Sequence, residues 1–136
     1  ATVNESLLML GSRLLGIAAV IHVAIFILES VLWSRPSVWR SFGLRSAEAA
    51  ANVRPMAFNQ GFYNLFLAIG IVVGLVLIVA TAAQQVGIAL LLASGISMVL
   101  AATVLIVSSP KLARAAAIQG LVPLFGVASV IASLLV

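Results

Sequence analysis

Four stretches of the chain are each long and apolar enough to cross a bilayer as helix, and nothing else in the sequence constrains the fold so strongly. A hydrocarbon core of about 30 Å takes about 20 apolar residues in helical form. The stretches cover residues 7–33, 57–81, 86–107 and 115–136. Membrane strands would be about 10 residues long and would alternate in polarity, and these stretches do not alternate. The expected fold is therefore all-α: a polytopic membrane protein whose four transmembrane helices form one bundle. The 136 residues leave room for a single domain, with residues 34–56 as an interfacial loop.

Composition agrees and removes other classes. The chain is 64% hydrophobic and 7% charged, whereas soluble domains carry about 25% charged residues. So few charges cannot solvate a globular surface of this size, which argues against a soluble enzyme, a disordered tail or a nucleic-acid module. With no Cys, thiolate chemistry and thiolate metal sites are excluded. The first apolar stretch is too long for a signal-peptide core and lacks a basic segment before it. It is expected to remain as a membrane helix.

The seven basic residues are distributed unevenly. Arg35, Arg40, Arg45 and Arg54 lie in the first connection, and Lys111 and Arg114 lie in the third. The positive-inside rule places both connections, 34–56 and 108–114, in the cytoplasm. Both termini then face outside, and the expected location is a bacterial cytoplasmic (inner) membrane. Trp33 and Trp39 stand among the arginines, as residues at headgroup depth do. Ser46 can cap a short helix over "AEAAANV", expected to lie on the inner leaflet. Arg13 is expected to snorkel outward.

Small residues mark the packing faces, because lipid tails leave close backbone approach as a main source of helix association. Gly70 and Gly74 form a GxxxG in the second span. Ala89, Ala93, Ser97 and Ala101 recur every four residues in the third. Either set can serve within the chain or between copies.

Polar side chains inside an apolar span are costly unless paired, and ionisable ones point to function. His22 and Glu29 are seven residues apart, which puts them on one face of a regular helix. Counted inward from Trp33, Glu29 is about 6 Å deep and His22 about 16 Å deep. In the second span, Asn59, Gln60, Tyr63 and Asn64 cluster at a depth of about 5–12 Å, counted from Met56. Gly61 among them permits another backbone to come close. In the fourth span, Pro123 cannot donate to the carbonyl of Gln119, so Gln119 offers both a side-chain amide and a freed carbonyl. Three helices thus carry their polar residues at one level, and a pocket opening toward the cytoplasm or inner leaflet is expected, with His22 at its floor. A structural hydrogen-bond network is the alternative use of the same residues. Glu29 could also pair with amides alone or reach Arg35. One His, one Glu and several amides are a poor set for zinc, which takes three or four His, Cys or carboxylate ligands. No metal is expected, and whether a cofactor binds is left open.

The succession "HVAIFILESVLW", Phe42–Gly43, "NQGFYNLFLAIG" and "IQGLVP" resembles a bacterial family of small four-helix integral membrane proteins known only as a domain of unknown function. The resemblance covers most of the chain. It implies the four-helix fold and a membrane location. It marks His22, Glu29, Asn59, Gln60, Tyr63, Asn64 and Gln119 as the family's signature positions, and it implies no activity.

Three functions fit these residues. The first is a pocket protein that binds or transforms a small amphipathic or lipid-like molecule, with His22 and Glu29 as candidate acid and base. The second is a structural or accessory subunit of a larger membrane complex, or a homo-oligomer. The third is a proton-coupled exporter with an essential membrane Glu. The one-sided arginines and the off-centre depth of Glu29 speak against the third. Whether the chain is an enzyme is left open, and no nucleic acid is expected as a partner.

Overall fold

The computed structural model describes residues 2–136, which fold into four long helices joined by short connections. Helix α1 spans Glu5–Phe26 and continues as a wider turn over Ile27–Val31. A short α2 covers Pro36–Ser41, and α3 runs over Ala47–Ala80. Helix α4 spans Gln84–Ser108. After one 3₁₀ turn, Pro110–Leu112, α5 spans Ala113–Leu135. All four long segments are of a length and hydropathy that can cross a membrane.

Local chemistry explains the helix starts. The Asn4 side chain accepts from Leu7 N at 3.1 Å and opens α1. Ser46 Oγ accepts from Ala49 N at 3.1 Å and opens α3. Pro36 occupies the first turn of α2, where a missing N–H costs nothing. The Ser46 cap was expected to start a separate helix on the leaflet. Instead that segment forms the first turns of α3, which passes through Pro55 without stopping.

The four long helices form a ring in which α1 packs on α3 and α5, and α4 packs on the same two. Asn4 N donates to Ser133 O at 2.8 Å, joining the start of α1 to the end of α5. Gln84 Nε2 donates to Glu5 Oε1 at 3.4 Å beside them. Both termini and the 81–83 link therefore share one end of the bundle. The two basic connections share the other end, where Gly43, with φ of 87°, lies against Leu112.

Two apolar clusters hold this arrangement. The larger, around Leu15, Ile71, Leu91, Met98 and Val130, fills the middle of the ring. Glycines let the backbones close on it. A Cβ on Gly95 would lie 2.7 Å from Val127 Cγ2, and one on Gly74 would lie 2.8 Å from the Gly87 carbonyl oxygen. The GxxxG of Gly70 and Gly74 thus serves packing of α3 on α4 within the chain. Ala89, Ala93, Ser97 and Ala101 instead face outward. The second cluster, Trp33, Val38, Trp39, Ala50 and Ala57, closes the basic end.

Candidate functional site

The polar core of the bundle lies on the seam between α1 and α3. Every third or fourth residue of α1 turns inward: Leu8, Gly11, Leu15, Ala18 and His22. Glu29 continues that series from within the wider turn, where Leu32 N donates to Ile27 O at 2.9 Å. This i→i+5 bond holds one more residue per turn than an α-helix does, a feature that recurs at functional sites. On α3 the inward series is Ala57, Gly61, Asn64, Ala68 and Ile71. Small residues at 57, 61 and 68 bring the backbones together, and Asn64 is the polar member of the series.

Asn64 Nδ2 donates to Glu29 Oε1 at 2.8 Å, and also to the Gln60 carbonyl at 3.2 Å. Glu29 is 7% exposed and Asn64 8%. Next to them, Ser30 Oγ donates to the Phe58 carbonyl at 2.8 Å. Gly61 makes the approach possible. A Cβ there would run into Ser30 Oγ and would sit 3.2 Å from Glu29 Cβ.

Glu29 also lines a shallow, open groove of about 240 Å³, together with Trp33, Val53, Met56, Ala57 and Gln60. Only Oε1 of the carboxyl is engaged by the protein. Among the described residues Oε2 has no partner, and it is not sealed away: Ser12 Oγ is the buried side-chain polar atom left without a hydrogen bond there. The Trp33 wall is fixed, because its Nε1 donates to the Ala50 carbonyl at 3.0 Å and its ring lies 5.3 Å from that of Phe42. A larger depression of about 350 Å³ at the opposite end has Thr2, Val3, Gln85, Ile88, Ala89, Leu92 and Leu134 as walls. It contains no ionisable side chain.

The seven polar residues expected to line one pocket do not converge on one cavity. Glu29, Asn64 and Gln60 come together. His22 is buried one face-repeat deeper, where its Nδ1 is 2.8 Å from the Ala18 carbonyl of its own helix. Asn59 and Tyr63 point outward, with Tyr63 59% exposed. Gln119 is half-buried on α5, which packs on α1 and α4. Helical rotation is the reason for the spread. Residues 59 and 63 share a depth with residues 60 and 64 but lie about 100° away around the axis. Among the described residues, no three His, Cys, Asp or Glu side chains gather.

Sequence reasoning missed Ser30 and the walls formed by Val53, Met56 and Ala57, and took Trp33 only as a marker of depth. The 57–61–64–68 spacing of small residues was the signal that could have separated Asn64 from its exposed neighbours.

Four apolar helices in a ring, with their polar contacts concentrated in one seam, define a multi-pass membrane helix bundle. Residues 16–131 match the family described as "Protein of unknown function (DUF1304)", and the chain belongs to that family. Comparison with curated proteins and with solved structures gave no match.

Proposed function

We propose that the protein binds a small amphipathic, lipid-like molecule in the groove between α1 and α3. The observation that carries this reading is Glu29: a nearly buried carboxyl with one oxygen held by Asn64, on a residue that lines an open, mostly apolar groove. Apolar walls with a few polar groups aimed inward are the usual makeup of a small-molecule site. The basic end faces the cytoplasm under the positive-inside rule, with both termini outside, in a bacterial inner membrane. The groove then opens at the inner leaflet. His22 stands deeper on the same helix as a candidate partner in proton transfer, should the bound molecule be transformed.

Native mass spectrometry of protein released from its own membranes tests the binding. Wild type is expected to retain an amphiphile that Glu29→Leu and Gln60→Leu lose. Protein that carries none, together with unchanged behaviour of Glu29→Gln, would end this reading. A reporter fused after Val136 that behaves as cytoplasmic would overturn the orientation.

A second reading, an accessory subunit or homo-oligomer, is supported by the outward row of Ala89, Ala93, Ser97 and Ala101, which offers a close-packing surface. A stoichiometric partner in mild detergent would favour it.

A further inference from the structure

We infer that the basic end of the bundle is a docking surface for anionic phospholipids. Their phosphate heads pair with the cations of the two connections there, and their chains lie on the helix faces beside them. The surface is separate from the groove at Glu29 and does not depend on it. Three observations lead to it.

The first is charge that the chain itself does not balance. Arg35, Arg40, Arg45, Arg54, Lys111 and Arg114 are all exposed. The chain has three acidic side chains. Glu5 stands at the far end beside Gln84, and Glu29 is nearly buried against Asn64. Glu48 alone is left to face six cations. Clusters of Lys and Arg beside membrane helices attract anionic lipid heads, and the guanidinium fork matches phosphate.

The second is placement. A Cβ on Gly43 would lie 3.6 Å from Leu112 Cδ2. That contact brings the first connection, with Arg40 and Arg45, onto the third, with Lys111 and Arg114. The Arg40 guanidinium lies over the Trp39 ring, 5.2 Å from its centre, and Trp39 is buried in the cluster with Trp33 and Val38. This cation is therefore held against a fixed ring.

The third separates a lipid from a soluble acidic partner. On α3, Phe58 stands one turn deeper than Arg54, and on α5, Ile118 stands one turn deeper than Arg114. Residues four apart share a helix face. Phe58 is 51% exposed and Ile118 52%. Charge at the rim with open apolar surface one turn below suits a molecule with an anionic head and a hydrocarbon chain. A soluble acidic segment would use only the rim.

Quenching by phospholipids brominated on their chains provides the test. The chain has two tryptophans, Trp33 and Trp39, both at the basic end, so quenching reports which lipid stands there. The full chain is reconstituted into vesicles of phosphatidylglycerol and phosphatidylcholine, alike in both leaflets, which makes orientation immaterial. Phosphatidylglycerol is expected to bind about fivefold more strongly, the worth of one cation at a membrane surface. The preference should fall toward parity at about 1 M salt, where the screening length is about 3 Å. The variant Arg40→Gln/Arg45→Gln/Lys111→Gln/Arg114→Gln, with wild-type circular dichroism, should lose it, and Arg13→Gln, in the far half of α1, should keep it. Equal binding of the two lipids by wild type, or full preference in the four-site variant, overturns the inference. If inorganic phosphate abolishes the preference and chloride of equal ionic strength does not, the cations hold a free anion. If soluble poly-glutamate displaces phosphatidylglycerol, the partner is an acidic protein. The lipid assignment falls in either case.

Discussion

Asn64 donates to Glu29 at 2.8 Å across the α1–α3 seam, and both residues are nearly enclosed. In lipid, removing one partner leaves the other with no water to turn to. An interhelical hydrogen bond in a membrane contributes about 0.6–1.7 kcal/mol, and an orphaned buried acceptor adds to the loss. Asn64→Leu is therefore expected to destabilise the bundle by about 1–2 kcal/mol, measured by unfolding in mixed detergent. The double variant Glu29→Leu/Asn64→Leu should cost less than the sum of the single changes. Strict additivity would show that the bond does not couple the two helices.

Glycine has different roles at two positions on the same seam. A Cβ at Gly61 meets Ser30 and the Glu29 stem, whereas one at Gly16 would touch only Leu75 Cδ1, at 3.7 Å. Gly61→Ala must push α3 off the wider turn and disturb the Ser30–Phe58 bond, at a cost of about 1–3 kcal/mol. Gly16→Ala fills ordinary space and gains helix propensity of about 0.5–1 kcal/mol. Opposite signs in thermal unfolding are expected; equal effects would contradict the close approach at Gly61.

Helix α4 presents two small-residue faces with different tasks. Gly95 faces Val127 and Leu15, with its virtual Cβ 2.7 Å and 3.0 Å from them. Gly95→Leu should disrupt the bundle itself. Ala93 faces outward, so Ala93→Leu should leave the unfolding of the monomer unchanged. If Ala93→Leu shifts the mass seen by light scattering, the outer row joins copies or partners.

Trp33 holds the closure of the basic end through its bond to Ala50. Trp33→Phe retains much of the apolar wall but loses about 1 kcal/mol of hydrogen bonding. The expected result is local: trypsin should cut more quickly at Arg40 and Arg45, while the central bundle melts as before. Unchanged cleavage would mean that the 34–46 segment is held by its apolar contacts alone.

The spans were readable from hydropathy because membrane helices satisfy their own backbone and must be apolar over their length. Their ends were less readable. Pro55 and Arg54 suggest a break between residues 46–53 and the second span, but α3 continues through them. A proline costs a helix one N–H and a freed carbonyl, and near the headgroups water can satisfy that carbonyl. The site was legible in part, since depth can be counted from sequence but rotation around the axis cannot be judged until the packed face is known. Asn59 and Tyr63 share a level with Asn64 and still face away. The Ile27–Val31 turn had no signal at all, because an i→i+5 bond depends on how the neighbouring helix seats and not on any residue type.

That turn gives the lower half of the protein one place where length is forgiven. An i→i+5 turn spends about one residue more than an α-helical turn on nearly the same rotation. Excising a single residue between Ile27 and Val31 would therefore let α1 revert to ordinary pitch with Trp33 still turned toward Ala50. The same excision in the regular part of α1 would swing everything after it by roughly 100° and part that contact.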